Sequence, residues 1–93
     1  MGFGRNDPLD HYDRDVLDDV VFRFMRRNAG DWFSLREIRR RLERTHHRGL
    51  VRGVVGTVAL NNSLERLLRR RLIRSLWDED IEVYSFAVRR DRE

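Results

Sequence analysis

The sequence predicts an α+β domain, mainly helical, in which a three-helix core is followed by a C-terminal β-hairpin. Three observations carry the prediction. Val16, Leu17, Val20, Val21, Phe24 and Met25 recur at the period of a helix between Asp13 and Arg27. Ser34-Leu35-Arg36-Glu37 fits the start of a second helix. The run from Leu60 to Val88 then reads helix, strand, tight turn, strand.

Each element has its own signals. Residues 1–12 form a loose N-terminal tail, with glycines, one proline and no apolar period over 1–9. The first helix runs from about Asp13 to Arg27. Its acids cluster in the first turns and Arg26-Arg27 in the last, which complements the helix dipole, and Asn28-Ala29-Gly30 is the stop. Phe22 lies well off the apolar stripe. It is either a singly exposed aromatic or, with Met25, part of an oligomer contact.

In the second helix Ser34 is the N-cap and Glu37 stands at N3. Phe33 and Ile38 fit the hydrophobic staple. Asp31-Trp32-Phe33 just before it reads as a short strand. The helix buries Leu35, Ile38 and Leu42 and turns Arg36, Arg40 and Arg44 outward at i, i+4, i+8.

Residues 45–56 are the hardest to place. Val51, Val54, Val55 and Val58 would form one helical stripe. Leu60, Leu64, Leu67 and Leu68 form another on nearly the opposite face. One straight helix cannot bury both against one core. Gly53 and Gly56 mark a cheap break, so the third helix is expected to begin near Thr57 as N-cap and to run to about Arg71. The hairpin follows at roughly Ile73–Trp77 and Ile81–Val88, turning at Asp78-Glu79-Asp80. Residues 89–93 are a polar C-terminal tail, so the domain proper spans 13–88.

Composition bounds the function. Ninety-three residues make one small domain. All 20 basic residues are arginine. The absence of lysine reflects either codon usage in a GC-rich genome or selection for arginine's planar fork. The net charge is only +4, but the signs are segregated: residues 7–19 hold six aspartates, whereas residues 36–74 hold 12 arginines against three glutamates. There is no cysteine, which excludes disulfides and cysteine-ligated zinc. No apolar run approaches the ~20 residues that span a bilayer, so no membrane role is expected and a cytoplasmic protein is the default, nucleoid-associated if it binds DNA.

The residues from Thr57 to Val88 resemble the recognition helix and wing of winged helix–turn–helix transcriptional regulators. LERLLRRRLIRSL is similar to the usual recognition-helix ending of that family, in which a Leu-Ile pair starts the wing strand. Arg71 stands where the family often has glycine. In element order the resemblance extends from Asp13 to Val88. It implies binding of double-stranded DNA with the third helix in the major groove. Asn61, Asn62, Glu65, Arg66 and Arg69 are then the base-reading candidates, because Asn suits adenine, Arg suits guanine and Glu accepts from cytosine. Arg36, Arg40, Arg44, Arg48, Arg52, Thr57 and Arg70 are the phosphate candidates, which give affinity without sequence information. Arg39 and Arg41 extend that basic surface. A homodimer on paired half-sites is the expected form, with Phe22 and Met25 as the contact.

The acidic wing tip, Asp78-Glu79-Asp80 followed by Glu82, runs against the simplest version, since phosphates would repel it. Either the wing points away from the duplex or the domain is a protein-interaction module of a larger assembly. RNA binding is a weaker third reading: Trp32, Trp77 and Tyr84 could stack on bases but fall where core residues are expected. His46-His47 lacks partners at metal-ligand spacing, Ser34 is accounted for by capping, and GLVRGVVG lacks the ending of a phosphate loop. No catalytic constellation, metal site or cofactor is therefore expected, and the protein is not read as an enzyme.

Overall fold

The computed structural model describes residues 7–87. The order of elements is α1 (His11–Arg27), β1 (Phe33–Ser34), α2 (Leu35–Leu42), a 3₁₀ turn (Arg48–Val51), α3 (Gly53–Arg69), β2 (Ile73–Asp78) and β3 (Ile81–Phe86). The predicted α+β class, with three helices and a C-terminal hairpin, is the observed one. Val88 and the tail 89–93 lie outside the described residues.

α1 begins two residues before the expected start. Asp10 is its N-cap, its carboxylate accepting from the Asp13 amide at 2.9 Å. The expected loose tail of 1–12 is thus corrected over its second half: Asp7 and Asp10 both make defined hydrogen bonds. α2 starts as the sequence requires. The Ser34 hydroxyl accepts from the Glu37 amide at 3.1 Å, and the Glu37 carboxylate accepts from the Ser34 amide at 2.8 Å. Ser34 also ends β1, so one residue closes a strand and caps a helix.

The sheet order is β1-β3-β2, all antiparallel, with Phe33 opposite Tyr84 and Ile73 opposite Phe86. The short strand expected before α2 therefore joins the hairpin. Asp78 pairs with Ile81 across a two-residue turn in which Glu79 takes φ +60. One face of the sheet buries Phe33, Ile73 and Tyr84 against the helices. On the other face the Arg74 guanidinium lies over the Trp32 ring, 5.1 Å from its centre.

The core is a single cluster. Leu17, Val21, Phe24 and Met25 from α1 meet Ile38 and Leu42 from α2, Val51 from the 3₁₀ turn, and Ala59, Leu60, Leu64 and Leu67 from α3. Met25 is fully buried, which rules it out as a dimer contact; it lies on the core side of α1. Phe22 is half-buried, its ring tilted against Phe86 at 5.8 Å with the Arg26 guanidinium over it at 5.5 Å. Its place off the α1 stripe is explained by the hairpin, which covers that flank. Phe22 keeps part of its surface in a hollow that it lines with Asp15, Asp19, Leu67, Arg70 and Leu72.

The connection that periodicity could not resolve is the main surprise. α3 begins at Gly53, not Thr57, and is one continuous helix. Gly53 takes φ +66 where the chain turns out of the 3₁₀ segment. Gly56 is buried against that segment: a Cβ there would collide with the Val51 backbone carbonyl. Gly56 is therefore a packing contact and not a break. Thr57 is no cap, since its hydroxyl donates to the Gly53 carbonyl at 2.8 Å inside the helix. The two-stripe conflict resolves because the helix buries only one stripe. Val51 goes into the core from the 3₁₀ turn, while Val54, Val55 and Val58 remain exposed.

α3 ends in a Schellman motif. The Leu72 amide donates to the Leu67 carbonyl at 3.0 Å and the Arg71 amide to the Leu68 carbonyl at 2.9 Å. Arg71 sits at the left-handed position with φ +61, where glycine is the unstrained residue.

Candidate nucleic-acid interface

α3 meets three environments. Its core side carries Gly56, Ala59, Leu60, Ser63, Leu64 and Leu67, all buried. Its outward side runs Val54, Val58, Asn61, Asn62, Glu65 and Arg69, with Val55 at one edge. The asparagines are half-buried and the others exposed. The side toward α1 carries Ser63 and Arg66.

That third side changes the candidate set. Arg66 is not free to read a base. Its Nε and Nη2 bond the two carboxylate oxygens of Asp18, each at 2.9 Å, and its Nη1 bonds Asp7 at 2.7 Å. The Ser63 hydroxyl donates to the same Asp18 carboxylate. The Arg66 side chain is only 22% exposed. Its hydrogen bonds to Asp18 raise its already high pKa against the opposing effect of burial. This bidentate fork closes the α1–α3 seam and pins the segment before α1. The sequence signal was present in the spacing Asp7, Asp18 and Arg66, but no local pattern joins residues 48 and 59 positions apart.

The basic surface is divided. Arg36, Arg40, Arg44, Arg48 and Arg52 are exposed and, among the described residues, take no salt bridge. They run along α2, through the 3₁₀ turn, to the residue that starts α3. Arg39 is paired with Glu43 at 3.1 Å, and Arg41 lies over the Phe33 ring at 5.3 Å. Arg69, Arg70 and Arg71 are exposed at the far end of α3. Between the two arginine groups the outward face of α3 is apolar and amide-bearing, with Glu65 as its one acid.

The wing side is acidic. The Tyr84 hydroxyl donates to Glu82 at 3.2 Å, and burial, then the Glu82 charge and more weakly Glu65, push its pKa up to about 12. At the wing tip Asp78, Glu79 and Asp80 are exposed beside Leu76, Trp77 and Ile81. Trp77, expected in the core, is 66% exposed, because the hairpin extends past the helices. Tyr84 is buried as expected and Trp32 half-buried. The His46 and His47 rings lie 4.0 Å apart, tilted by 42°.

These elements, in this order, with the hairpin beside the last helix, decide the architecture. The fold is a winged helix. A solved chain from work on the DNA recognition and protein interaction domains of HOP2, and on its homologous DNA pairing properties, superposes with a TM-score of 0.61. The identity is 14%, with 75% of this chain and 97% of that chain covered. No family model matches this chain, and no curated protein matches it. Among the described residues, no helix is long and apolar enough to cross a membrane, and no three acidic or histidine side chains converge as a metal site would require.

Proposed function

We propose that this winged helix is a non-catalytic module that binds double-stranded DNA, with α3 in the major groove and arginines of α2 and the 3₁₀ turn on the phosphates. The observation that carries the reading is that Arg36, Arg40, Arg44, Arg48 and Arg52, in the stretch that leads to the N-terminal end of α3, are exposed and take no salt bridge among the described residues. Exposed guanidinium groups are suited to phosphates. The likeness to a chain studied for DNA recognition agrees with it. Within this reading Thr57 and Arg66 leave the contact set, since one is bonded within α3 and the other within the α1–α3 seam. The finer proposal is a small cytoplasmic transcriptional regulator acting as a homodimer. Its dimer surface cannot include buried Met25.

Anisotropy of a labelled random-sequence duplex across a salt series tests this. Five phosphate contacts give a log–log slope of about −4.5. The R44Q/R48Q/R52Q variant should lower it by about 3. Absence of binding at low salt would sink the proposal.

One observation favours a second reading, a protein-interaction module. Leu76, Trp77 and Ile81 are exposed together at a wing tip surrounded by acids, where a duplex would be repelled. The two readings use different surfaces, so a DNA-binding domain could present its wing to a protein.

A further inference from the structure

We infer that α3 reads the methyl groups of thymine, so that the domain prefers A·T-containing duplexes. This rests on the DNA-binding reading above. Val54, Val55 and Val58 are 80%, 60% and 40% exposed. They occupy the first two turns of α3, the end that enters a groove first in helix–turn–helix docking. Three isopropyl groups on one helical surface, away from the buried leucines of the same helix, form an apolar patch without a partner among the described residues.

The setting of the patch selects the occupant. Arg48 and Arg52, in the segment leading to the patch, are exposed and unpaired among the described residues. An apolar surface approached through cations suits a polyanion that carries apolar groups. In the major groove of unmodified DNA, the thymine methyl is the apolar group on a base edge. The next turn outward presents Asn61 and Asn62, whose amides match the adenine N6/N7 pair. The arginines at this end, Arg48 and Arg52, are assigned to phosphates, and of those within α3 Arg66 is held by Asp18 and Asp7. Arg69 lies 15 residues beyond Val54, about 22 Å along the axis, more than the ≈ 12 Å width of the groove.

The test uses one A·T-containing duplex made with dT or with dU, which lacks only the methyl, and a G·C duplex made with cytosine or 5-methylcytosine. The expected result is weaker binding of the dU duplex, by about fourfold for each methyl removed from the contact. The methylated G·C duplex should bind more tightly than its parent. V54S/V58S should abolish both differences and leave the salt slope unchanged, since the phosphate contacts lie elsewhere. Both side chains are exposed, so the variant should melt within a few degrees of the parent.

Equal affinity for dT and dU duplexes would overturn the inference and leave DNA binding standing. A dT preference that survives in V54S/V58S would overturn it too. If no duplex binds at low salt, both readings fall, and the valine patch becomes a surface for a protein.

Discussion

Two acid clusters flank α3, and they do opposite things. On the α1 side, Asp7 and Asp18 converge on Arg66 and are both ion-paired to it. On the wing side, Glu65 and Glu82 take no salt bridge among the described residues and act instead on the Tyr84 hydroxyl. The first cluster holds the fold together. The second, with the tip acids, leaves a negative field on one flank of the helix that faces outward. Charge counting treats the two alike. Pairing separates them: within the DNA-binding proposal the wing-side acids repel a phosphate, so contacts on α3 belong to its N-terminal end, next to Arg48 and Arg52.

The comparison holds only while α3 keeps its pose, and the largest effect is expected where that pose is fixed. Gly56→Ala would drive a methyl into the Val51 backbone, and the neighbour is main chain that cannot rotate away. The variant should lose about 3 kcal/mol or more in denaturant unfolding. A loss under 1 kcal/mol would show that the 3₁₀ turn yields and that the valine-bearing end of α3 is not rigidly placed. Arg66→Ala comes next. It strands two largely buried carboxylates, with an expected cost of about 2–3 kcal/mol, below the range for fully buried pairs because the site is partly open. Arg66→Lys should recover little of this, since an ammonium cannot reproduce the bidentate fork. If instead Arg66→Ala left stability unchanged and weakened DNA binding, the residue would return to the reading face.

The wing-side cluster predicts a pH dependence of known sign. Tyr84 is neutral in the fold up to about pH 12, whereas in the unfolded chain it ionises near 10. Its contribution is therefore complete below pH 10 and is lost as the pH rises from about 10 through 12. The chain holds no lysine or cysteine to titrate in that window, and its other tyrosine, Tyr12, is exposed. Denaturant midpoints between pH 9 and 12 should fall for the parent and stay flatter for Tyr84→Phe. Parallel curves would mean that the hydroxyl is solvated and the acids around it are inert.

These results also show what the sequence could carry. The capping box at Ser34, the core stripe of α1 and the hairpin turn are local patterns that appear where their residues put them, and the strand expected at residues 31–33 appears displaced, at Phe33–Ser34. The site was less legible for a physical reason. Periodicity sorts a helix into apolar and polar faces but does not say which polar residue has found a partner, and Arg66 found two in α1 and the segment before it. Nor does it say which apolar stripe is buried. Val54, Val55 and Val58 match the period of a core face, and burying them as well as the leucines seemed to require a broken helix. The unbroken helix leaves them in solvent, and the conflict itself was the signal that one stripe serves something outside the fold.

The smallest predicted effect lies at the junction between the two clusters, where α3 hands the chain to the wing. Arg71 occupies a left-handed position at φ +61 with its side chain exposed. An L-residue there carries a steric cost of about 1–2 kcal/mol that glycine avoids, while glycine loses more backbone freedom on folding. The balance for Arg71→Gly is a gain of about 0.5–1 kcal/mol, or a few degrees in Tm. The change also removes one positive charge from the end of α3 remote from the valines. If α3 contacts DNA mainly through its N-terminal half, the variant should be more stable and bind a duplex almost as tightly, with nearly the same salt slope. A stabilised protein whose salt slope falls by a full contact would place Arg71 on a phosphate and move the duplex toward the wing, across the very flank that the unpaired glutamates make repulsive.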